Sequence, residues 1–287
     1  HRPTSDGGGR RRRPGPPACL RVARRARGLP KRGRGPPAPE VEEMAEGDAA
    51  LKEKMRKVHW VAFESNPDMF NQFSYEVGMS KDFAFHDILG LDDELLMMIP
   101  PGCLAVTLLF DSGSEIIRKF KVEQREQIEK DGQKVAPGLK YMRQYVGNAC
   151  GTIATIHSLA NNAEALGVAA DSKLGKFLAD ADAKSPEEIG AMLADATELH
   201  KVSESSAQGG QTAAPEADAD IHNHFITFVE KDGDVYELDG NKAFPINHGP
   251  AEGGLLKAAG KVIQANWIQK DMECVKCMIA LAPGGDD

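Results

Sequence analysis

A cysteine, a histidine and an aspartate can act as nucleophile, base and orienter, and this chain of 287 residues carries such a set in that order. Cys150 follows Gln144-Tyr145-Val146-Gly147-Asn148-Ala149 and opens an apolar stretch, 150–159, with almost no polar face. That pattern predicts a buried central helix. A cysteine at the start of such a helix feels its positive end, which favours the thiolate. The small neighbours Ala149 and Gly151 let a substrate backbone come close. Taken alone, the pattern fits a small core cysteine equally well.

A thiolate nucleophile needs an imidazole partner, and eight histidines are available. His157 lies seven positions on along the same helix, roughly 10 Å at the rise of a helix, beyond hydrogen-bond reach. It is expected to be a core histidine. His222 and His224 are two apart on one expected strand and so share a face. Asp239 separates them. If 230–233 is a four-residue hairpin loop, His224 faces Asp239 and His222 faces Asn241. Directly opposed residues lie about 5 Å apart at Cβ. Asp239 could then fix the imidazole tautomer and stabilise its charged form.

The elements that must position this set form an α/β (α+β) pattern from Trp60 onward. Asn66-Pro67-Asp68 opens a helix to about 77, with Gly78 as its stop. Residues 83–87 alternate as a short strand. Asp92-Asp93-Glu94 gives an acidic first turn to a helix reaching Met98, with Met97 and Met98 expected on a core face. The run 103–110 is continuously apolar, as in a buried strand. A charged amphipathic helix is expected over 114–130, and further helices near 172–180 and 186–200. From 202 to 220 no core pattern remains, which predicts a long loop. Strands at 222–229 and 234–239, a helix near 252–266 and a strand near 274–281 complete the chain.

Charge is unevenly placed. Residues 1–34 hold twelve Lys or Arg and one acid, a local charge of +11, which leaves -19 on the rest of a chain whose formal net charge is -8. So acidic a domain repels nucleic acid and favours a basic partner. The Arg/Gly/Pro-rich segment 1–54 cannot bury enough apolar surface to fold. It has the composition of a basic arm, of a transit peptide without the serines, or of GC-rich untranslated sequence read as codons, with Met44 and Met55 standing where starts would. Residues 55–287 are then the folded domain. Five sparse cysteines suit a reducing, cytoplasmic setting better than a disulfide scaffold. No stretch is long and apolar enough for a membrane span.

The string from Gln144 to Thr152, followed by Ala160-Asn161-Asn162, resembles the active-site segment of the ubiquitin C-terminal hydrolases. So do His224-Phe225, Tyr236-Glu237-Leu238-Asp239-Gly240 and Phe244-Pro245-Ile246-Asn247-His248-Gly249. The likeness runs from about Trp60 to Leu281, and Gln211-Thr212-Ala213-Ala214-Pro215 resembles one isozyme group within that family. The chain departs from it at Ala149, where serine is usual, and at Gly209, where the loop is more often acidic.

That resemblance implies a papain-like fold, a central and mostly antiparallel sheet flanked by helices. It implies Cys150 as nucleophile, His224 as general base and acid, Asp239 as orienter and Gln144 as an oxyanion donor, a kind of group that typically contributes about 3 kcal/mol. The substrate implied is ubiquitin, with related ubiquitin-like modifiers also conceivable. Glu64, Asp68 and Asp87 would meet its basic tail, and Trp60 and Asn66 would lie in the same lining segment. A loop at about 201–221 would cross the active site and restrict leaving groups to small or unfolded adducts. No metal, cofactor, nucleic acid or membrane is expected, and a monomer is the simplest state. Cys274-Val275-Lys276-Cys277 is a lone CxxC that begins a strand, which is weak for zinc or redox work. The rival readings are a catalytically weak protein that binds and buffers free ubiquitin, and a nucleic-acid-associated protein resting on the basic arm.

Overall fold

A computed structural model describes residues 58–210 and 221–284. The expectations for 1–54 and for Gln211 to Pro215 lie outside them. Six strands form one antiparallel sheet: β1 (Phe83–Asp87), β2 (Ala105–Asp111), β3 (Asn223–Lys231), β4 (Asp234–Leu238), β5 (Ile246–Pro250) and β6 (Val275–Pro283), in the order β1-β6-β2-β3-β4-β5. The central strand β2 pairs with β3 on one side and β6 on the other. It is buried on both faces, which is why its sequence is a continuous apolar run rather than an alternating one.

Each sheet face has its own cover. Val106, Leu108 and Phe110 of β2 join Ile226, Phe228, Ala280 and Ala282 in a core closed by Leu255, Ala258, Ala259 and Ile263 of helix α8 (Leu255–Ile263) and by Trp267. The opposite face carries α4 (Cys150–Ala160), all eleven residues of which are buried. Hydroxyls bind this helix to the sheet. Thr227 donates to the Ala154 carbonyl at 2.9 Å and pairs with Ser158 and with Thr107, each at 3.2 Å.

Local signals set the helix ends. Helix α1 (Pro67–Val77) starts where the Asn66 side chain accepts from the Asp68 N–H, and stops at Gly78, whose φ of 123° favours glycine. Phe70 of α1 packs against Phe63, Phe85 and Phe225, tying the helix to β1 and β3. Helix α3 (Glu115–Asp131) is capped by Ser114, and α5 (Lys173–Asp180) by Ser172.

Five expectations are corrected. Helix α2 (Asp93–Leu96) is a single turn, because the Pro100-Pro101 pair disfavours helix just beyond it. Leu96 and Ile99 enter the core, while Met97 and Met98 are 75% and 63% exposed and not on a core face. The helix expected over 186–200 is two, α6 (Pro186–Asp195) and α7 (Thr197–Gln208), broken at Ala196. Residues 201–208 therefore belong to a helix and not to the loop. Its buried Val202, Ser203, Ser206 and Ala207 show why the loop reading failed: small polar residues pack as well as apolar ones where helices lie close. Finally, β5 went unseen because Asn247-His248-Gly249 has the composition of a turn.

Helix α6 docks on the segment leading to Cys150. The Arg143 N–H donates to the Pro186 carbonyl at 2.9 Å, and a Cβ on Gly190 would lie 2.1 Å from the Arg143 carbonyl oxygen. Gly190→Ala should lower the urea midpoint by an amount worth about 1–3 kcal/mol with the slope unchanged. An unchanged midpoint would mean that α6 does not press on this segment.

Candidate active site

The segment 141–147 is neither helix nor strand, so its backbone groups find partners elsewhere. The Met142 N–H donates to His157 Nε2 at 3.0 Å, and the Gln144 N–H to the Gly240 carbonyl at 2.8 Å. The Gly147 N–H reaches the Val58 carbonyl, and the Trp60 N–H returns to the Gly147 carbonyl, both at 2.9 Å. Asn148 then takes φ 58°, a left-handed conformation that asparagine tolerates, and turns the chain into α4. Cys150 is the first residue of that helix, 9% exposed, at an N-terminus that no side chain caps. The positive helix end therefore stays open toward the thiol and whatever meets it.

His224 lies one residue inside β3, opposite Phe110 of β2, with the two rings edge to face at 5.7 Å. By strand alternation it shares a face with Phe110 and not with Phe225, which packs toward α4 near Gly151. His224 and Cys150 thus come from opposite faces of the sheet and meet where the sheet ends. The imidazole hydrogen-bonds the Cys150 side chain. Its Nε2 lies 2.7 Å from Asp239 Oδ1.

Asp239 does meet His224, but through a different register from the one assumed. The hairpin turns on two residues, Asp232 and Gly233, both with positive φ, not on four. Thr227 opposes Leu238, and pairing ends there. Asp239 follows the last paired residue, and its side chain reaches back to His224 from beyond the ladder. Asn241 sits near as well, with its amide nitrogen 3.5 Å from His224 Nε2 and its N–H donating to Asp239 Oδ1 at 3.0 Å. His222 is exposed and takes no part.

Burial opposes charge on His224, but the field and hydrogen bond of Asp239, together with Cys150, outweigh it and push the imidazole up to about 9. Burial would likewise raise Asp239. The ammonium of Lys121, 2.9 Å from Oδ2, and then His224 hold its carboxyl well below the usual range instead. His157, buried and given only a weak countercharge, is pushed down to about 4 and is a neutral core histidine, as its sequence position suggested. Gln144 uses one Nε2 hydrogen on the Val146 carbonyl at 3.1 Å, and its Oε1 is buried without a hydrogen bond.

The expected lining residues divide. Trp60 is 1% exposed and stacks on His200 at 4.9 Å, so it is a core side chain. Asn66 is occupied as a helix cap. Asp68 and Asp87 come close enough to interact: burial and then Asp68 raise the Asp87 carboxyl. Glu64 lies beside Gly210 at the end of α7, where a Cβ would meet its Oε2 at 2.6 Å. His248 pairs with Glu237 at 2.9 Å in β5, a structural contact. Cys274 and Cys277 are buried and outside any disulfide, and among the described residues no cluster of His, Cys, Asp and Glu could hold a metal ion. What sequence reasoning missed is Lys121, one of many charges on α3 with nothing to single it out.

Comparison with known proteins places this geometry. The family model described as "Ubiquitin carboxyl-terminal hydrolase, family 1" matches residues 60–267. A probable ubiquitin carboxyl-terminal hydrolase of Dictyostelium discoideum is 40% identical over 208 residues, 72% of this chain and 81% of that protein. Human ubiquitin carboxyl-terminal hydrolase isozyme L1 is 38% identical over 200 residues, 69% of this chain and 87% of that one. In structure, the Trichinella spiralis UCH37 catalytic domain bound to ubiquitin vinyl methyl ester superposes with a TM-score of 0.63 at 22% identity, covering 82% of this chain and 100% of that domain. At that identity the likeness concerns the fold, the papain-like one expected. The chain belongs to family 1 of the ubiquitin carboxyl-terminal hydrolases, a family of cysteine hydrolases.

Proposed function

We propose that this chain hydrolyses bonds at the C-terminal glycine of ubiquitin, with Cys150 as nucleophile, His224 as base and acid, Asp239 as its orienter and Gln144 in the oxyanion site. The observation that carries the reading is the single imidazole bonded to a helix-start cysteine on one side and to a buried carboxylate on the other. A relative 40% identical over 208 residues is named a probable ubiquitin carboxyl-terminal hydrolase, and the UCH37 neighbour is bound to ubiquitin vinyl methyl ester. The acidic pair Asp68 and Asp87, with Glu64, suits a basic peptide tail.

The steps follow from the geometry. With His224 protonated, the Cys150 sulfur attacks the glycine carbonyl carbon, and the carbonyl electrons move to oxygen. That oxyanion is met by the Gln144 amide and the open end of α4. The imidazolium gives its proton to the leaving nitrogen, the C–N bond breaks, and a thioester remains. Neutral His224 then takes a proton from water, whose oxygen attacks the thioester. The C–S bond breaks to release ubiquitin with a free carboxylate. Asp239 keeps the ring oriented throughout and offsets its positive charge.

Small or unfolded adducts are the preferred leaving groups in this reading. Two anchors support it. The helix that precedes residues 211–220 is bonded to the nucleophile helix through Thr152 and Ser203 at 2.7 Å, and the chain enters β3 one residue before His224. A short connection so anchored limits what passes the sulfur. A cytoplasmic setting belongs to the same reading. Among the described residues no helix is long and apolar enough to cross a membrane.

Release of a fluorophore from the ubiquitin C-terminus should be fast in the wild type and absent in Cys150→Ala. Tight ubiquitin binding without release by the wild type would turn the assignment to a ubiquitin-buffering protein. Lengthening the 211–220 connection should admit larger leaving groups, and no gain would remove the size restriction.

The His224 shift sets the pH dependence. Its folded value, about 9, lies above its ordinary 6.5. The stability it contributes is therefore full below about pH 6.5 and lost as pH rises through about 9. NMR should show the His224 ring titrating near 9, with kcat/KM falling above that pH as the proton for the leaving nitrogen is lost. In Asp239→Asn the ring should titrate below its ordinary value, since burial then acts with little opposition. A wild-type midpoint near 6.5 would sink this account.

A further inference from the structure

Helix α3 is a charged helix with one buried side chain, Ile117. Its lysines do different things. Lys119 is 80% exposed and meets only Glu123 on the same helix, at 3.7 Å. Lys121 turns inward with 17% of its side chain exposed, and its ammonium reaches the fully buried Asp239 at Oδ2, 2.9 Å away. The same ammonium lies 5.4 Å above the ring of Phe110, the aromatic that flanks His224.

The division of labour on Asp239 is the key observation. Oδ1 takes both hydrogen-bond donors on the catalytic side, His224 Nε2 at 2.7 Å and the Asn241 N–H at 3.0 Å. Oδ2 faces the other way and meets Lys121 through an ion pair rather than an aligned hydrogen bond. A carboxylate held at one oxygen can rotate about its bond to Cβ, and one held at both cannot. Charge gives a second argument. In the state that attack on the substrate requires, thiolate, imidazolium and carboxylate together would leave one net negative charge in a buried site, and a buried unpaired charge is costly. One ammonium at Oδ2 brings the set to neutrality.

We propose that Lys121 is a positioning residue of the hydrolytic site: it holds Asp239 charged and turned so that Oδ1 stays on His224. The inference rests on the hydrolase reading for its catalytic meaning, but the anchoring is measurable without turnover. Other charged and titratable groups face Asp239 and do not replace Lys121. His224 uses Oδ1. Lys242, in the turn after β4, spends its ammonium on Glu237 and Gln124. Tyr141 directs its hydroxyl to the Asp239 backbone carbonyl, not to the carboxylate. His157 of α4 is neutral, and Glu237 adds negative charge that Lys242 and His248 already balance.

The test compares Lys121→Met and Lys121→Arg with the wild type. For the Met variant we expect kcat on a ubiquitin-fluorophore substrate to fall about tenfold with KM unchanged. The acid limb of kcat/KM should move up by about one pH unit, the low end of what loss of an adjacent opposite charge does to a carboxylate. Carbon NMR should show the Asp239 carboxyl titrating at higher pH, and Arg should restore both. If Met unfolds the protein, Lys121→Gln gives the same comparison. An Asp239 carboxyl titration unchanged in the folded variant would overturn the proposal, as would a loss of kcat that merely tracks the folded fraction with the pH profile intact. A wild type with no hydrolysis, but with an Asp239 titration that Lys121→Met still raises, would leave the anchor standing and reject the hydrolase reading.

Discussion

Much of this molecule is arranged around one buried carboxylate. Asp239 is fully inaccessible to solvent, and a bare carboxylate in such a place would cost several kcal/mol or take up a proton. Neither happens, because separate elements converge on it. Strand β3 brings an imidazole, α3 brings an ammonium, and the turn after β4 brings a backbone N–H. Its main chain is used as well: the carbonyl of Asp239 accepts from the Tyr141 hydroxyl at 2.7 Å, and that of Gly240 from the Gln144 N–H at 2.8 Å. The residue that meets the imidazole therefore also locates the segment that leads to Cys150. Relative placement of Cys150 and His224, which come from opposite faces of the sheet, is set through this shared neighbour.

Helix α4 answers a different constraint. To present a thiol at the end of a sheet, α4 must lie across the sheet with no solvent-facing side, and so it is apolar nearly all round. Its few hydroxyls are kept from becoming buried liabilities by bonding locally. Thr155 donates to the Gly151 carbonyl at 2.8 Å and Ser158 to the Ala154 carbonyl at 2.9 Å. Gly151 is needed for space, since a Cβ there would lie 2.7 Å from the Cβ of Phe63. Close packing of this kind also explains why Thr152 finds a partner in Ser203, a residue whose own helix has no strong apolar stripe.

The parts legible in the sequence were those governed by local patterns. The apolar run of β2, the Asn66 cap, the Gly78 stop and the Cys150 helix each carry their signal within a few residues. The His224–Asp239 pair was reached by an argument with a wrong step: the assumed four-residue loop is a two-residue turn, and direct opposition would have paired His224 with Asn241. The pairing survives because Asp239 lies past the end of the ladder, free of the register. Lys121 was illegible for the opposite reason. On a helix with charges on nearly every face, which lysine points inward depends on where the rest of the fold sets that helix. Met97 and Met98 misled because one helical turn, cut short before two prolines, cannot place four successive residues in the core.

The charges inside this domain also explain why it can keep them. They come in opposed sets, Lys121 with Asp239 and His224, and Lys242 with Glu237 and His248. Burial would raise Glu237, but Lys242 and His248 bring it down to about 2 from an ordinary 4.5, so its contribution is full above about pH 4.5 and fails only as pH falls through about 2. His224 sets the other limit: its contribution begins to fade above about 6.5 and is gone above about 9. Between these limits Glu237 is ionised, Asp239 is held ionised and His224 keeps its proton. The protonated His224 imidazole is thus the state that the fold prefers.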